Sequence, residues 1–117
     1  MIKDFSSDLI ELPSSSVEDL AKTKSFMSAV FGWQYTAWGD SYTDSDSAGI
    51  THAFNADAAH KPEMPMVILY ASDLERTKAE IENNGGKIVN EIFSFPGGRR
   101  FHFVEPSGNL MAVWSDK

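Results

Sequence analysis

Two hydrophobic rhythms alternate along this chain. Leu9 to Pro13 and Met66 to Ala71 are short apolar runs of strand character, and each leads into a stretch with helical spacing. In the first stretch Leu20, Met27, Val30 and Phe31 recur at that spacing; in the second, Leu74, Thr77 and Ile81 do so more weakly. Ser15 with Glu18, and Ser72 with Glu75, have the spacing of capping boxes. Gly32 and the pair Gly85 and Gly86 stand where C-caps belong. Three further strand candidates follow each helix: Trp33 to Trp38, about Ser41 to Thr43 and Gly49 to Asn55, then Lys87 to Phe93, Arg99 to Glu105 and Leu110 to Ser115. Each half reads β-α-β-β-β, and the polar segment Ala56 to Glu63, with Pro62 inside it, is the linker.

The halves also match in sequence. Residues 19 to 24 read Asp-Leu-Ala-Lys-Thr-Lys and residues 73 to 78 read Asp-Leu-Glu-Arg-Thr-Lys, an offset of 73 minus 19, or 54, which also carries Gly32 onto Gly86. We therefore expect one domain over 1–117, built of modules at about 8–55 and 65–115.

Composition narrows the function. The chain has 117 residues, a net charge of -7 and no cysteine. Disulfide, zinc-thiolate, iron-sulfur and thiol-nucleophile chemistry are thereby excluded. The negative charge, with Arg99 and Arg100 as the basic cluster, argues against nucleic-acid binding. The run Met64 to Ala71 is too short to span a bilayer, and MIKDFSSDLIELP lacks the apolar stretch of a signal peptide, so a cytoplasmic protein is expected.

The segments KSFMSAVFGW (24–33) and GRRFHFVEPSGNLMAVW (98–114), with the two hexads, resemble the vicinal oxygen chelate superfamily of glyoxalase I, bleomycin resistance proteins and extradiol dioxygenases. Met27 departs from the tyrosine common in that family. The resemblance implies an α+β fold, two βαβββ modules in an open, curled mixed β-sheet barrel whose concave side holds a small molecule, usually over a divalent metal. It also implies a homodimer. Metal-dependent members carry histidine and glutamate ligands on the first and last strands of each module. Counting back from the helix aspartates puts the opening-strand positions at Leu12 or Leu9 and at Met66 or Val67, and counting four residues on from Gly108 puts the closing one at Ala112, none of which is a ligand. His52 is the one candidate, and a divergent set of Glu11, His52 and His102 is the alternative.

Alternation sends Phe101 and Phe103 into the core and Arg100, His102 and Val104 to the other face. His102 is a candidate general acid or base, or a structural histidine. Arg100 could pair with Glu11 or hold a ligand carboxylate through its two-pronged guanidinium. Trp33, Tyr35, Trp38, Tyr42 and Trp114 could wall a pocket or belong to core and interface, with Trp38 and Trp114 the ligand-binding candidates. His60, in the linker, reads as solvated, and Pro96 to Gly98 as a turn. Three functions stay open: a small-molecule-binding protein that has lost its standard metal ligands, a lyase, isomerase or dioxygenase with a divergent metal set, and a non-catalytic interaction module.

Overall fold

The computed structural model describes residues 2–117, so Met1 lies outside the described residues. In chain order the elements are β1 (Ser7–Pro13), α1 (Val17–Phe31), β2 (Thr36–Ala37), β3 (Tyr42–Ser45), β4 (His52–Asn55), β5 (Met66–Tyr70), α2 (Leu74–Asn83), β6 (Lys87–Phe95), β7 (Gly98–Val104) and β8 (Leu110–Ser115). The β-α-β-β-β order is present twice, as in the α+β fold expected from sequence. The chain resolves into an N-terminal unit, Leu9–Met66, and a C-terminal unit, Val67–Lys117 with the residues up to Asp8. That leading segment joins the C-terminal unit by backbone pairing. Phe5 N–H donates to the Tyr70 carbonyl at 2.8 Å, and Tyr70 N–H donates to the Ser6 carbonyl at 3.1 Å.

Both units have one topology. The N-terminal order is β2-β3-β4-β1, antiparallel as far as β4 and parallel between β4 and β1. The C-terminal order is β5-β8-β7-β6, with β5 parallel to β8 and the remaining pairs antiparallel. First and last strands are thus neighbours in each unit. Glu11 pairs with Ala53 in one, and Ile68 with Ala112 in the other.

The helices start one residue later than the sequence pattern suggests. Ser16, not Ser15, caps α1, its side chain accepting from Asp19 N–H at 3.1 Å, while the Ser15 hydroxyl donates to the Asp19 carboxylate. Asp73 caps α2 by accepting from Arg76 N–H at 3.1 Å. Ser72 is engaged elsewhere, its N–H (2.6 Å) and hydroxyl (2.8 Å) both donating to the Asp4 carboxylate. Each cap contributes about 1 kcal/mol. The caps are 73 minus 16, or 57, residues apart, whereas the hexads are 54 apart, so matching letters sit at different helical positions. α1 ends at Gly32, whose φ of 73° is the left-handed conformation that glycine enters without strain, and its N–H donates to the Ser28 carbonyl at 3.0 Å.

Each helix covers one face of its own sheet. In the N-terminal unit Leu20, Phe54 and Ala56 form the buried cluster, with Leu12, Met27 and Tyr35 packed on it. The C-terminal cluster is larger: Ala71, Leu74, Phe101, Phe103 and Val113, flanked by Leu69, Ile81, Ile88, Ile92 and Met111. β2 is shorter than the expected Trp33 to Trp38 because Trp33 and Tyr35 turn their rings onto His52, and Gln34 N–H donates to the Ser47 hydroxyl rather than to a ladder.

Candidate functional site

Strand alternation decides which side chains can meet. Phe101, Phe103 and Val113 pack on the α2 side, so Arg100 and His102 of β7 and Ala112 and Trp114 of β8 project from the opposite face. Leu69 packs toward α2, which places Ile68 and Tyr70 on that opposite face too. Register then arranges two rows. One holds Tyr70, Trp114, Arg100 and Phe93; the other holds Ile68, Ala112, His102 and Asn90.

The first row is aromatic and charged. The Arg100 guanidinium carbon lies 5.6 Å from the centre of the Phe93 ring, a cation–π distance, and Phe93 meets the His102 ring edge-on at 5.6 Å. Arg100 and His102 are 6% and 4% exposed, and both are engaged. Trp114 Nε1 donates to the Asp8 carboxylate at 2.9 Å, and Trp114 meets Tyr70 edge-to-face at 5.2 Å. The Tyr70 hydroxyl donates to the Asp116 carboxylate at 2.5 Å. That bond, then burial, holds the Tyr70 phenol above its usual range, and the same bond holds the Asp116 carboxyl below its own. Tyr70 is therefore fixed as a proton donor. The turn entering β7 is built for close approach: a Cβ on Gly98 would stand 2.0 Å from the Ser115 carbonyl oxygen.

In the N-terminal unit the candidates separate. Leu12 and Phe54 pack toward α1, so Glu11 and Ala53 face the other way. Glu11 is fully buried, and its Oε2 accepts from the Asn55 amide at 3.3 Å. His52 shares the parity of Phe54 and lies on the α1 side, among Trp33 (5.1 Å), Tyr35 (5.4 Å) and Phe54 (5.6 Å). Its Nε2 is 2.7 Å from the Tyr35 hydroxyl. Burial raises the Tyr35 pKa, so the phenol keeps its proton at this contact. The expectation that His52 and Glu11 share a face is thus corrected by register: one residue of odd offset puts them on opposite sides of the sheet. Trp38 is 62% exposed in the turn between β2 and β3 and belongs to neither row. His60 is paired with Asp57 at 3.1 Å, so the linker histidine is not simply solvated.

The fit to a divalent metal is tested where first and last strands pair. In the C-terminal unit those positions are Ile68 and Ala112, and in the N-terminal unit they are Glu11 and Ala53. Counting along the sequence points to Leu12 or Leu9, to Met66 or Val67 and to Ala112, none of them a histidine or a carboxylate. Within neither unit does this pair of positions supply the three or more N, O or S donors that a centre needs. Among the described residues no three His, Asp or Glu side chains are grouped as a metal site.

Tyr70, Phe93, Asp8 and Asp116 join the site without having been singled out in the sequence. Alternation within Met66–Tyr70 could have found Tyr70. Nothing local marks Asp8 or Asp116, which reach the rows only through folding.

No curated protein sequence matches the chain. Solved structures do. A structure described as NAD-dependent benzaldehyde dehydrogenase from Legionella pneumophila is 11% identical with a TM-score of 0.77, the match covering 93% of this chain and 98% of that one. The Mn(II)-bound glyoxalase from Novosphingobium aromaticivorans is 19% identical with a TM-score of 0.63; 98% of this chain matches 39% of that longer one. A glyoxalase/bleomycin resistance protein/dioxygenase superfamily member from Vibrio splendidus 12B01 is 14% identical with a TM-score of 0.64, covering 92% and 96%. At these identities the likeness establishes the fold alone. No helix is long and apolar enough to cross a membrane among the described residues. The family model of the Glyoxalase/Bleomycin resistance protein/Dioxygenase superfamily matches residues 12–113, nearly the whole chain, and the chain belongs to that superfamily.

Proposed function

We propose that this chain binds a small organic molecule on the face of the C-terminal sheet turned away from α2, and does so without the divalent metal of the metal-dependent members. The observation that carries this reading is Ala112, fully buried on the last strand where the resemblance puts a metal ligand, paired with Ile68, which is 2% exposed. An isoleucine and an alanine offer no lone pair. They leave an apolar floor next to a row of rings and charged groups, the mixture typical of small-molecule sites. Arg100 supplies a fixed positive charge and a two-pronged donor, which suits a carboxylate, and Trp114 supplies a flat surface. His102, beside Arg100 on the same face, is the titratable group best placed to exchange a proton with such a ligand.

Metal analysis and a thermal-shift titration with benzoate, on the full chain treated with chelator, test this together. The expected result is substoichiometric metal, an unchanged melting temperature after chelation, and a benzoate-dependent rise that persists in chelator but is lost in Arg100→Lys, which keeps charge without the fork. Stoichiometric metal released by Glu11→Ala or His102→Ala overturns the proposal.

A further inference from the structure

The end of α2 passes into β6 through Asn83, Asn84, Gly85 and Gly86. Of the chain's five asparagines, Asn84 alone precedes a glycine; the others precede Ala56, Asn84, Glu91 and Leu110. The order matters because the next residue's backbone nitrogen can attack an asparagine's side-chain amide carbon, and only glycine puts no side chain in the way. Asn84 and Gly85 are both exposed, and a Cβ built on Gly85 meets nothing within 4 Å. Gly85 N–H is also loosely held, 3.4 Å from the Glu82 carbonyl, which is long for such a bond.

We propose that Asn84 is a site of spontaneous deamidation, gated by fraying of α2, that converts a closed helix end into a permanently loosened one. This goes beyond the ligand reading and does not depend on it. In the first step the Gly85 nitrogen bonds to Asn84 Cγ, the Cγ–Nδ2 bond breaks, and Nδ2 leaves as ammonia with the proton that Gly85 gives up. The product is a five-membered succinimide. Water then opens that ring at either carbonyl, giving aspartate or isoaspartate, with no oxidant or reductant involved. The folded cap opposes the first step. Ring closure needs the Gly85 nitrogen swung toward Asn84 Cγ, whereas a ψ of 18° at Asn84 turns it away. Hydrogen bonds fix that conformation: Asn84 N–H reaches the Glu80 (3.1 Å) and Ile81 (3.2 Å) carbonyls, Asn84 Nδ2 donates to the Glu80 carbonyl at 2.8 Å, and Gly86 N–H donates to the Ile81 carbonyl at 2.8 Å. They belong to the last turn, where a helix opens most readily, and attack awaits that opening.

Neither product can restore the cap. A carboxylate at position 84 has no amide proton for the Glu80 carbonyl, and it stands four residues after the Glu80 side chain. It also adds negative charge to a helix end whose last turn has no basic residue. Isoaspartate further lengthens the main chain by one carbon just before Gly86, where even an added Cβ would collide with Ile81 Cγ2. Ile81 packs on the C-terminal core cluster, so the loosening reaches the edge of that core.

Incubating the full chain in mildly alkaline buffer and digesting it with trypsin locates the reaction, since cleavage after Lys78 and Lys87 isolates residues 79–87. The expected result is a gain of one dalton at residue 84, with isoaspartate detected by an isoaspartyl methyltransferase, and no gain at Asn55, Asn90 or Asn109. Asn84→Gln, whose extra methylene slows ring closure, should leave the peptide unaltered. Unfolding in urea should raise the rate several-fold by removing the gate. Asn84→Asp, the aspartate product made directly, should lower the hydrogen-exchange protection of Gly86 N–H. A folded chain still unaltered at residue 84 when the urea-treated chain has reacted overturns the proposal. So do equal rates in the folded and unfolded chains, a gain that persists in Asn84→Gln, or undiminished Gly86 protection in Asn84→Asp.

Discussion

The N-terminal and C-terminal units share strand order, a parallel pairing of first and last strands, and a helix on one face, yet they hold different chemistry. At the equivalent central row one unit has a buried glutamate beside an alanine, and the other has an isoleucine beside an alanine. Under the helix one packs a compact cluster around Phe54; the other packs two phenylalanines on Leu74 and Val113. Backbone topology needs only turn residues, caps and alternation, so a repeat keeps it while side chains at any one position diverge. Function must accordingly be read from the rows and not from the repeat.

The most forceful way to break the comparison is through the cores. Phe101→Ala, at a site with no exposure, should cost about 3–5 kcal/mol, and Leu20→Ala in the smaller cluster about 2 kcal/mol, at the low end for such a change. Denaturant unfolding of both variants measures this, and equal losses would mean that the clusters carry equal weight.

A sharper probe makes one row imitate the other. Glu11→Ile gives the N-terminal row the content of the C-terminal one, but strands at least the Asn55 amide, and should destabilise by about 1–3 kcal/mol. Adding Asn55→Leu should recover only part of that loss: it removes the stranded amide but also the Oδ1 that accepts from Asp57 N–H at 2.8 Å. A stabilising single variant would show that the glutamate is no structural part of its unit.

The smallest effect belongs to the Tyr70–Asp116 bond of the C-terminal unit and is read as a change of slope with pH. Asp116 lies below its ordinary 3.8, so its contribution is present above 3.8 and fades as pH falls through the lowered folded value. Tyr70 lies above its ordinary 10.0, so its contribution is complete below 10.0 and fades as pH rises through the raised folded value. Tyr70→Phe should flatten melting temperature against pH at both ends and change little between them. Unchanged acid and alkaline slopes would show that the bond is not formed in solution.

Several features of the site could be foreseen from the chain alone. Phe101 and Phe103 at i and i+2 on an apolar strand had to face the core, which sent Arg100 and His102 to the other side. Others could not. His52 and Glu11 both sit on strands, but whether they share a face depends on which residue of β1 lies beside which residue of β4, and no local pattern states that. At α2 the cap stands one residue later than expected, with Ser72 bonded to a partner 68 positions away, Asp4.

By itself, then, the sequence determined the two βαβββ modules, their helix ends to within a residue, the exclusion of cysteine chemistry, and the family. Those properties rest on period, turn chemistry and composition, which act over a few residues. Tertiary structure alone decided that His52 belongs to an aromatic cluster under α1, that Ile68 and Ala112 stand side by side, that Asp8 and Asp116 reach Trp114 and Tyr70, and that Phe26 and Val30 remain in water. Register and burial are relations between distant segments, and they acquire values only when the chain closes on itself.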